Sequence, residues 1–293
     1  MPVAEVDVSA ELVRRLLAAQ HPDLAHLPVE VMTNGWDNVM CRVGDELAAR
    51  MPRREMGAGL IVNEQRWLPV LQPRLPLPVP APVRTGRPGL GYPWPWSIVA
   101  FIPGQVAALT PPTGPRDAAV SMGRFLAALH TAAAPDAPPH ATRGVPLANR
   151  GEVLVENLGI LGGRVDHAAV IRAWETAIAA PRWAGPPVWL HGDLHPANIL
   201  VHQGRISGVI DFGDITSGDP AADLSVAWML LPAEYHHLFQ NAYHVAAAYP
   251  ADDACWARAK GWALVLGVVY LAHSADNPLI AGIGQRTLSA VLA

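Results

Sequence analysis

The sequence predicts an α+β protein with a small, mostly antiparallel sheet lobe followed by a larger, mostly helical lobe. Short runs with strand character and turn residues between them fill much of the first third of the chain. After about residue 104 the chain changes to long alanine- and leucine-rich segments with helical periodicity. We therefore place residues 1–103 in an N-terminal lobe and residues 104–293 in a C-terminal lobe.

The N-terminal lobe is predicted to begin with a helix. The run "SAELVRRLLAA" places Leu12, Val13, Leu16 and Leu17 on one helical face behind Ser9, a residue type that caps helices. The next run, "VEVMTNGWDNVMCRVGDELAARMPR", predicts three strands, because "TNGWDN" and "GDE" have turn chemistry.

A second helix, "GLIVNEQRWLPVLQPRL", is predicted to follow the three strands. It ends in the proline-rich run "PLPVPAPVRTGRPGLGYPWPW", which favours extended backbone at a sheet edge because proline lacks an N–H donor. The run "SIVAFIPG" predicts one more strand, and its end marks the lobe boundary.

The C-terminal lobe is predicted to hold a series of helices and one strand pair, "NILVHQ" and "ISGVID". A proline- and alanine-rich stretch near 135–147 is predicted to be a surface loop. The predicted helices span residues 115–133, 166–180, 221–231, 234–247, 253–272 and 279–292.

Composition excludes several classes of protein. The net charge of −4 gives no electrostatic footprint for nucleic acid. Cys41 and Cys255 are too few for a disulfide framework and fit a reducing compartment. The apolar run "WALVLGVVYLA" is too short to span a membrane, and the first residues do not resemble a signal peptide. We expect a soluble, cytoplasmic monomer or weak homodimer.

The stretch "HGDLHPANILVHQGRISGVIDFGD", residues 191–214, gathers ionisable groups around two short apolar runs. A hairpin formed by these runs would bring Asn198 and Asp211 to the same end, with Asp193 beside them. Asn198 and Asp211 offer the hard oxygen ligands that suit Mg²⁺, and Asp193 remains free to accept a hydroxyl proton. Phosphoryl transfer needs this arrangement, because positioning and charge neutralisation dominate its catalysis.

These motifs resemble a known family. The pattern D-x-x-x-x-N followed by D-F-G is similar to the catalytic and metal loops of the protein-kinase fold. The chain resembles the aminoglycoside phosphotransferase family in a longer set of motifs. These are H-G-D-x-H-x-x-N, "IDFGD" and "GDPAADL". The resemblance implies a bilobal kinase-like fold, Asp193 as catalytic base, and Asn198 and Asp211 as Mg²⁺ ligands. It also implies ATP or GTP as the phosphoryl donor.

A kinase-like site also needs a cation on the third strand and a glutamate on the following helix. The sole lysine of the chain, Lys260, lies far away, so we predict Arg50 as the cation and Glu64 as its partner. Arg53 and Arg54 are the rival candidates.

Two further segments are predicted to contact the nucleotide. The loop "TNGWDN" occupies the position that covers the nucleotide in the resembled fold. Its candidate contacts are Asn34, Gly35 and Asn38. The predicted hinge, about residues 98–103, would offer backbone groups to adenine. Its candidate contacts are Val99, Ala100, Phe101 and Ile102.

Other polar residues near the motifs are predicted to serve the scaffold. His191 should hold its loop by hydrogen bonding, and His202 should face solvent. Asp219 precedes Pro220 as a possible helix cap. Asp223 resembles the aspartate that fixes the catalytic-loop backbone in this fold.

The predicted function is transfer of the γ-phosphate of ATP or GTP to a hydroxyl of a small molecule, such as an aminoglycoside, a macrolide or a metabolite. Segments 140–180 and 232–293 would form the acceptor pocket, and the acidic second half would suit a cationic acceptor.

Three rival classes of protein fit parts of the sequence less well. A protein kinase is disfavoured, because the short chain between Asp211 and Asp223 leaves no peptide platform. A metal hydrolase could use the H-x-D-x-H spacing of residues 191–195, but it would not explain Asn198 and the D-F-G sequence. A non-catalytic nucleotide-binding module is disfavoured, because every polar group that the chemistry requires is present.

Overall fold

The computed structural model of this chain describes residues 3–293, apart from the side chains of Thr33 and Asn34. The chain forms two compact units. The first comprises Met1–Pro73, Pro78–Ile102 and Asp211–Gly213; the second comprises Arg74–Leu77, Pro103–Ile210 and Asp214–Ala293. The tripeptide Asp211-Phe212-Gly213 thus packs with the first unit, although the sequence around it belongs to the second.

The first unit contains a five-stranded antiparallel sheet. Its strands are β1 (Val29–Asn34), β2 (Asn38–Val43), β3 (Leu47–Pro52), β4 (Pro82–Gly86) and β5 (Trp96–Ala100). They lie in the order β1-β2-β3-β5-β4. The proline-rich run supplies β4 at one edge, as predicted, since an edge strand tolerates a residue that cannot donate to a ladder. The strand from "SIVAFIPG" lies inside the sheet, between β3 and β4.

Two helices complete the first unit. Helix α1 (Ala10–Gln20) starts where predicted, and the Ser9 hydroxyl accepts the Leu12 N–H at 3.2 Å. Helix α2 (Glu55–Leu71) begins before the predicted "GLIVNEQ" run. An acidic residue in the first turn, Glu55, favours this earlier start, because a negative charge is stabilised at a helix N-terminus.

The second unit is mostly helical, with two small sheets. Strands β8 (Ile199–His202) and β9 (Arg205–Val209) form the predicted hairpin, and β6 (Gln105–Val106) pairs with β8. Strand β7 (Val188–Leu190) pairs with β10 (Thr216–Gly218); the sequence did not predict this pair, because both strands are only three residues long.

The helices of the second unit agree with most predicted positions. They are α3 (Pro115–Leu129), α4 (Gly151–Leu161), α5 (His167–Ile178), α6 (Ala221–Leu224), α7 (Val226–Leu230), α8 (His236–Ala246), α9 (Asp253–His273) and α10 (Pro278–Leu292). Helix α4 was not predicted. The predicted helix 221–231 is divided at Ser225, whose hydroxyl donates to the Ala222 carbonyl at 2.6 Å.

Helix α9 contains the long apolar run and is buried along most of its length, as predicted. Among the described residues, no helix is both long and apolar enough to cross a membrane.

Candidate active site

The loop of residues 191–198, which follows β7, is fixed at its start by Asp223. One Asp223 oxygen accepts the His191 N–H at 2.7 Å, and the other accepts the Gly192 N–H at 3.1 Å. His130 contacts the same carboxylate at 3.3 Å. Burial alone would raise the pKa of Asp223, but the His130 contact outweighs burial and lowers it. The prediction that Asp223 fixes this backbone is therefore confirmed.

Hydrogen bonds also hold the His191 ring in place. Its Nδ1 accepts the Asp193 N–H at 3.3 Å, so its Nε2 is the nitrogen that donates to the Ile210 carbonyl at 2.9 Å. The structural role predicted for His191 is confirmed. Because both ring nitrogens are engaged, His191 is a poor metal ligand, and no cluster of three or more metal-binding side chains occurs in the described part of the chain. The His191 ring is thus part of the scaffold of its own loop.

The backbone of the same loop needs a glycine at position 192. Its φ is +86°, and a Cβ at this position would lie 2.2 Å from the Asp214 carbonyl oxygen. We expect Gly192→Ala to lower turnover by at least about tenfold, because the backbone shift needed to relieve the clash displaces Asp193. Steady-state kinetics would measure this loss. Gly159→Ala is the matched control, since a Cβ there meets nothing within 4 Å; equal activity of both variants would contradict this account of the loop.

The Asp193 carboxylate lies among three polar side chains. One of its oxygens accepts from Arg143 at 2.6 Å and from the Tyr270 hydroxyl at 3.4 Å. The other lies 3.4 Å from Nε2 of His195. Burial works to raise the pKa of Asp193, but Arg143 and His195 outweigh burial and hold that pKa well below its usual range. Asp193 is thus oriented by three side chains, and its role as the catalytic base stays a prediction.

Arg143 is the main contact that the sequence did not reveal. It lies in the stretch predicted to be a surface loop, yet its side chain is only 19% exposed and its Nε lies 3.5 Å from Asp214. The segment turns around His140, whose Nδ1 accepts the backbone N–H groups of Thr142 and Arg143. His140 Nε2 lies 3.5 Å from Asp214 as well. The loop is therefore fixed against the 191–198 loop.

Asn198 is oriented by its side-chain amide. Its Nδ2 donates to the Asp193 carbonyl at 2.8 Å, which leaves the amide oxygen as the group available to a cation. The residue is buried and follows directly from the 191–198 loop into β8. An amide oxygen held in this way is a suitable ligand for Mg²⁺.

The first unit contains a chain of three charges. Arg50, buried on β3, donates from Nε to Glu64 at 2.8 Å and from Nη2 to Asp211 at 2.6 Å. Burial raises the pKa of Glu64 to about 7, and the adjacent Arg50 guanidinium opposes that rise. The sequence predicted the Arg50–Glu64 pair, and the structure contains it.

Asp211 combines an unusual backbone with an available carboxylate. Its φ is +63°, a left-handed conformation that Asp tolerates better than most residues. Its side chain is 49% exposed although it contacts Arg50. Strained backbone of this kind is concentrated at functional sites. The carboxylate is therefore paired with Arg50 and still partly open to solvent.

The rival arginines have other partners. Arg54 contacts the Asp37 carboxylate at 3.1 Å, and Arg53 donates to the Gly35 carbonyl at 3.4 Å. Both therefore hold the turn between β1 and β2, whose Gly35 N–H donates to the Asn38 carbonyl at 2.8 Å.

The remaining residues predicted to contact the nucleotide lie in the first unit. They differ in whether their polar groups are already hydrogen-bonded within the protein. Asn38 is buried, and its amide oxygen lacks a hydrogen-bond partner among the described residues. The side chain of Asn34 lies outside the described part of the chain. In the predicted hinge, Val99 and Ala100 belong to β5. The Phe101 N–H already donates to the Glu46 carbonyl at 2.7 Å, so it is not free to bind adenine.

A cavity of about 320 Å³ lies elsewhere in the second unit. Its lining includes Trp183 and the buried ion pair between Asp219 and Arg258, with 2.6 Å between Arg258 Nε and an Asp219 oxygen. Asp219 also accepts the Ala221 N–H at 3.0 Å, but the residue at the N-cap of α6 is Pro220, so Asp219 precedes the cap position that the sequence predicted for it. Neither Asp193 nor Arg143 lines this cavity, so we do not assign the acceptor to it.

Three known proteins illustrate what this chain is similar to. The aminoglycoside 3'-phosphotransferase of Streptomyces fradiae is 29% identical over 176 residues, which are 57% of this chain and 63% of that protein. The GDP complex of wild-type aminoglycoside 2'-phosphotransferase-IIIa matches with a TM-score of 0.72 at 19% identity, covering 97% of this chain and 99% of that one. The macrolide 2'-phosphotransferase MphH of Brachybacterium faecium gives 0.63 at 24% identity, covering 96% and 97%.

The fold is that of the aminoglycoside phosphotransferase structures, which confirms the predicted α+β, kinase-like fold class. The model of the phosphotransferase enzyme family matches residues 28–262. The chain belongs to that family, and the predicted resemblance to aminoglycoside phosphotransferases is confirmed. The match to the Streptomyces fradiae sequence spans under two thirds of that protein's length.

Proposed function

We propose that this protein transfers the γ-phosphoryl group of ATP or GTP to a hydroxyl of a small molecule. The observation that carries the proposal is the Arg50 guanidinium held by both Glu64 and Asp211. A strand cation paired with a helix glutamate, next to the Asp of an Asp-Phe-Gly sequence, is the phosphate-binding arrangement of kinase-type enzymes. A non-catalytic nucleotide-binding module would not need the additional ionised carboxylate at Asp193.

Each polar group has a distinct role in this proposal. Arg50 binds the phosphates of the nucleotide, and Glu64 orients Arg50. Asp211 and Asn198 would hold Mg²⁺, which neutralises phosphate charge when bound. Their donor set, one carboxylate and one amide oxygen, fits a cation that takes its other ligands from phosphate and water. Asp193 accepts a hydrogen bond from the acceptor hydroxyl and aligns its oxygen for attack.

The lowered pKa of Asp193 is compatible with this role. In a loose phosphoryl-transfer transition state the acceptor hydroxyl loses its proton late, so alignment contributes more than base strength. An ionised Asp193 is available to the hydroxyl at neutral and mildly acidic pH, because Arg143 and His195 keep it deprotonated.

The names of the relatives make aminoglycosides and macrolides the first acceptors to test. A panel of both classes, extended with hydroxylated metabolites, should be incubated with the purified chain, Mg²⁺, and ATP or GTP. We expect acceptor-dependent release of nucleoside diphosphate. Absence of nucleotide binding and of nucleotide consumption would contradict the proposal.

The metal assignment has a separate test. Asp211→Ala should abolish the Mg²⁺-dependent part of nucleotide binding, because it removes the charged ligand. Asn198→Ala should reduce turnover more mildly, since water can replace a neutral ligand. Calorimetric titration of each variant with nucleotide, with and without Mg²⁺, measures the binding effect, and steady-state kinetics measures turnover. If Asp211→Ala bound the Mg²⁺–nucleotide as tightly as the wild type, the assignment would be wrong.

A further inference from the structure

The two carboxylate oxygens of Asp193 have different surroundings. Oδ1 accepts from Arg143 at 2.6 Å and from the Tyr270 hydroxyl at 3.4 Å. Oδ2 faces Nε2 of His195 at 3.4 Å, which is longer than an ordinary hydrogen bond. A carboxylate oxygen has two lone pairs, so Oδ1 has a donor for each of them, whereas Oδ2 can still take a further donor.

Arg143 is itself held by a second carboxylate, that of Asp214. Its Nη2 contacts Asp193, and its Nε lies 3.5 Å from an Asp214 oxygen. A guanidinium is planar and rigid, so restraining two of its nitrogens restrains its whole plane. Because Asp214 restrains Arg143 in this way, the hydrogen bond from Arg143 also restrains the rotation of the Asp193 carboxylate.

The backbone that carries Arg143 is held by strand β10. The Thr216 hydroxyl donates to the Pro138 carbonyl at 2.7 Å, and a Cβ at Gly144 would lie 2.7 Å from a carbonyl oxygen of this strand. Strand β10 pairs with β7, and β7 leads directly into the loop that carries Asp193. The same small sheet therefore sets the positions of both Arg143 and Asp193.

An ion pair with a structural role in the same unit has a different geometry. Arg258 contacts Asp219 through two nitrogens, at 2.6 and 3.2 Å, and the two side chains are 5% and 7% exposed. Arg143 and Asp193 are joined by one hydrogen bond, and their side chains are 19% and 25% exposed. The contact with Arg143 thus fixes the Asp193 carboxylate while leaving part of it open to a ligand.

We infer that Arg143 and Asp214 are positioning residues for phosphoryl transfer, which turn the Asp193 carboxylate so that its Oδ2 receives the acceptor hydroxyl. The inference rests on the proposed function and adds to it two residues and the receiving atom. Arg143 acts on Asp193 directly, and Asp214 acts through Arg143. Neither residue needs to contact the nucleotide or the acceptor for this role.

Substitution of Arg143 should change turnover rather than nucleotide binding. Arg143→Gln should lower kcat by about tenfold to 10²-fold, because a carboxylate that rotates freely spends less time in the productive direction. The nucleotide KM should stay close to the wild-type value. Arg143→Lys should recover part of kcat, since lysine keeps the charge but loses the planar contact with Asp214.

A double-mutant cycle tests the order of action. Asp214→Asn should lower kcat less than Arg143→Gln does. The double variant should be no slower than Arg143→Gln alone, because residues that act as one unit are not additive. Turnover is measured as release of nucleoside diphosphate from Mg²⁺–ATP or Mg²⁺–GTP, with the panel acceptor that reacts fastest and with water alone.

Arg124→Gln is the matched control, because it makes the same substitution at an exposed arginine on α3 of the same unit. It should have wild-type kinetics and a wild-type unfolding temperature. The inference would be overturned if Arg143→Gln and Arg143→Lys both kept kcat within a few fold of the wild type. It would also be overturned if the losses from Arg143→Gln and Asp214→Asn multiplied in the double variant.

Thermal unfolding and nucleotide titration of each variant separate positioning from support of the fold. A lower unfolding temperature together with lost nucleotide binding in both Arg143 variants would mean that Arg143 holds the fold, and the inference would fail. A wild type without any nucleotide turnover would contradict the proposed function and this inference together. An active wild type with equally active variants would contradict this inference alone.

Discussion

Asp193→Asn should lower kcat by about 10²–10⁴-fold, the range typical of a positioned proton acceptor, while nucleotide affinity changes by no more than a few fold. The asparagine side chain keeps the shape of the carboxylate but cannot accept the hydroxyl proton. It also removes the charge that pairs with Arg143 at 2.6 Å. Steady-state kinetics with saturating nucleotide would measure kcat, and calorimetry would measure nucleotide affinity.

Asp253→Asn is a matched control, because Asp253 is an exposed aspartate in the first turn of α9. It should leave kcat near the wild-type value. A thermal unfolding curve for each variant separates loss of chemistry from loss of fold. If Asp193→Asn retained more than about a tenth of wild-type turnover, Asp193 would not be the proton acceptor.

Arg50→Ala should raise the nucleotide KM strongly and lower kcat, because it removes the phosphate ligand and leaves Glu64 buried beside no cation. Arg50→Lys should restore part of both parameters, since lysine keeps the charge but cannot contact Glu64 and Asp211 through a planar fork. Glu64→Gln should show a weaker form of the same defect. The double variant should be non-additive, because the two residues act as one unit.

Arg84→Ala, a half-exposed arginine on β4 of the same sheet, is the control and should have wild-type kinetics. Arg50→Ala could instead show near wild-type kinetics, while Arg53→Ala or Arg54→Ala shows a large nucleotide KM. The phosphate contact would then belong to the turn between β1 and β2, and the assignment to Arg50 would be wrong.

Sequence patterns over short distances were sufficient to predict some of the site residues. Arg50 and Glu64 stand 14 positions apart, on a strand and on the helix that follows it, so strand and helix patterns sufficed to pair them. Asp223 was identified by its motif, and its two backbone hydrogen bonds agree with that assignment.

The parts that sequence reasoning missed depend on tertiary contacts. Arg143 and Tyr270 reach Asp193 from 50 and 77 positions away, and neither has a distinctive sequence pattern. The local sign for Arg143 was the Gly144 that follows it in a proline-rich loop. Gly144 has a φ of +65°, and a Cβ there would lie 2.7 Å from the Ser217 carbonyl oxygen. Helix α4 was missed because proline and glycine around it favoured a loop.

Transfer of a labelled γ-phosphoryl group tests the central claim most directly. The full chain is incubated with Mg²⁺, nucleotide labelled in its γ-phosphate, and each member of an acceptor panel that spans aminoglycosides, macrolides, and hydroxylated compounds with and without a carboxylate or phosphate. We expect the wild type and Asp253→Asn to form a labelled acceptor product, and Asp193→Asn to form almost none. Label transfer that Asp193→Asn leaves unchanged, or no consumption of either nucleotide across the whole panel, would contradict it.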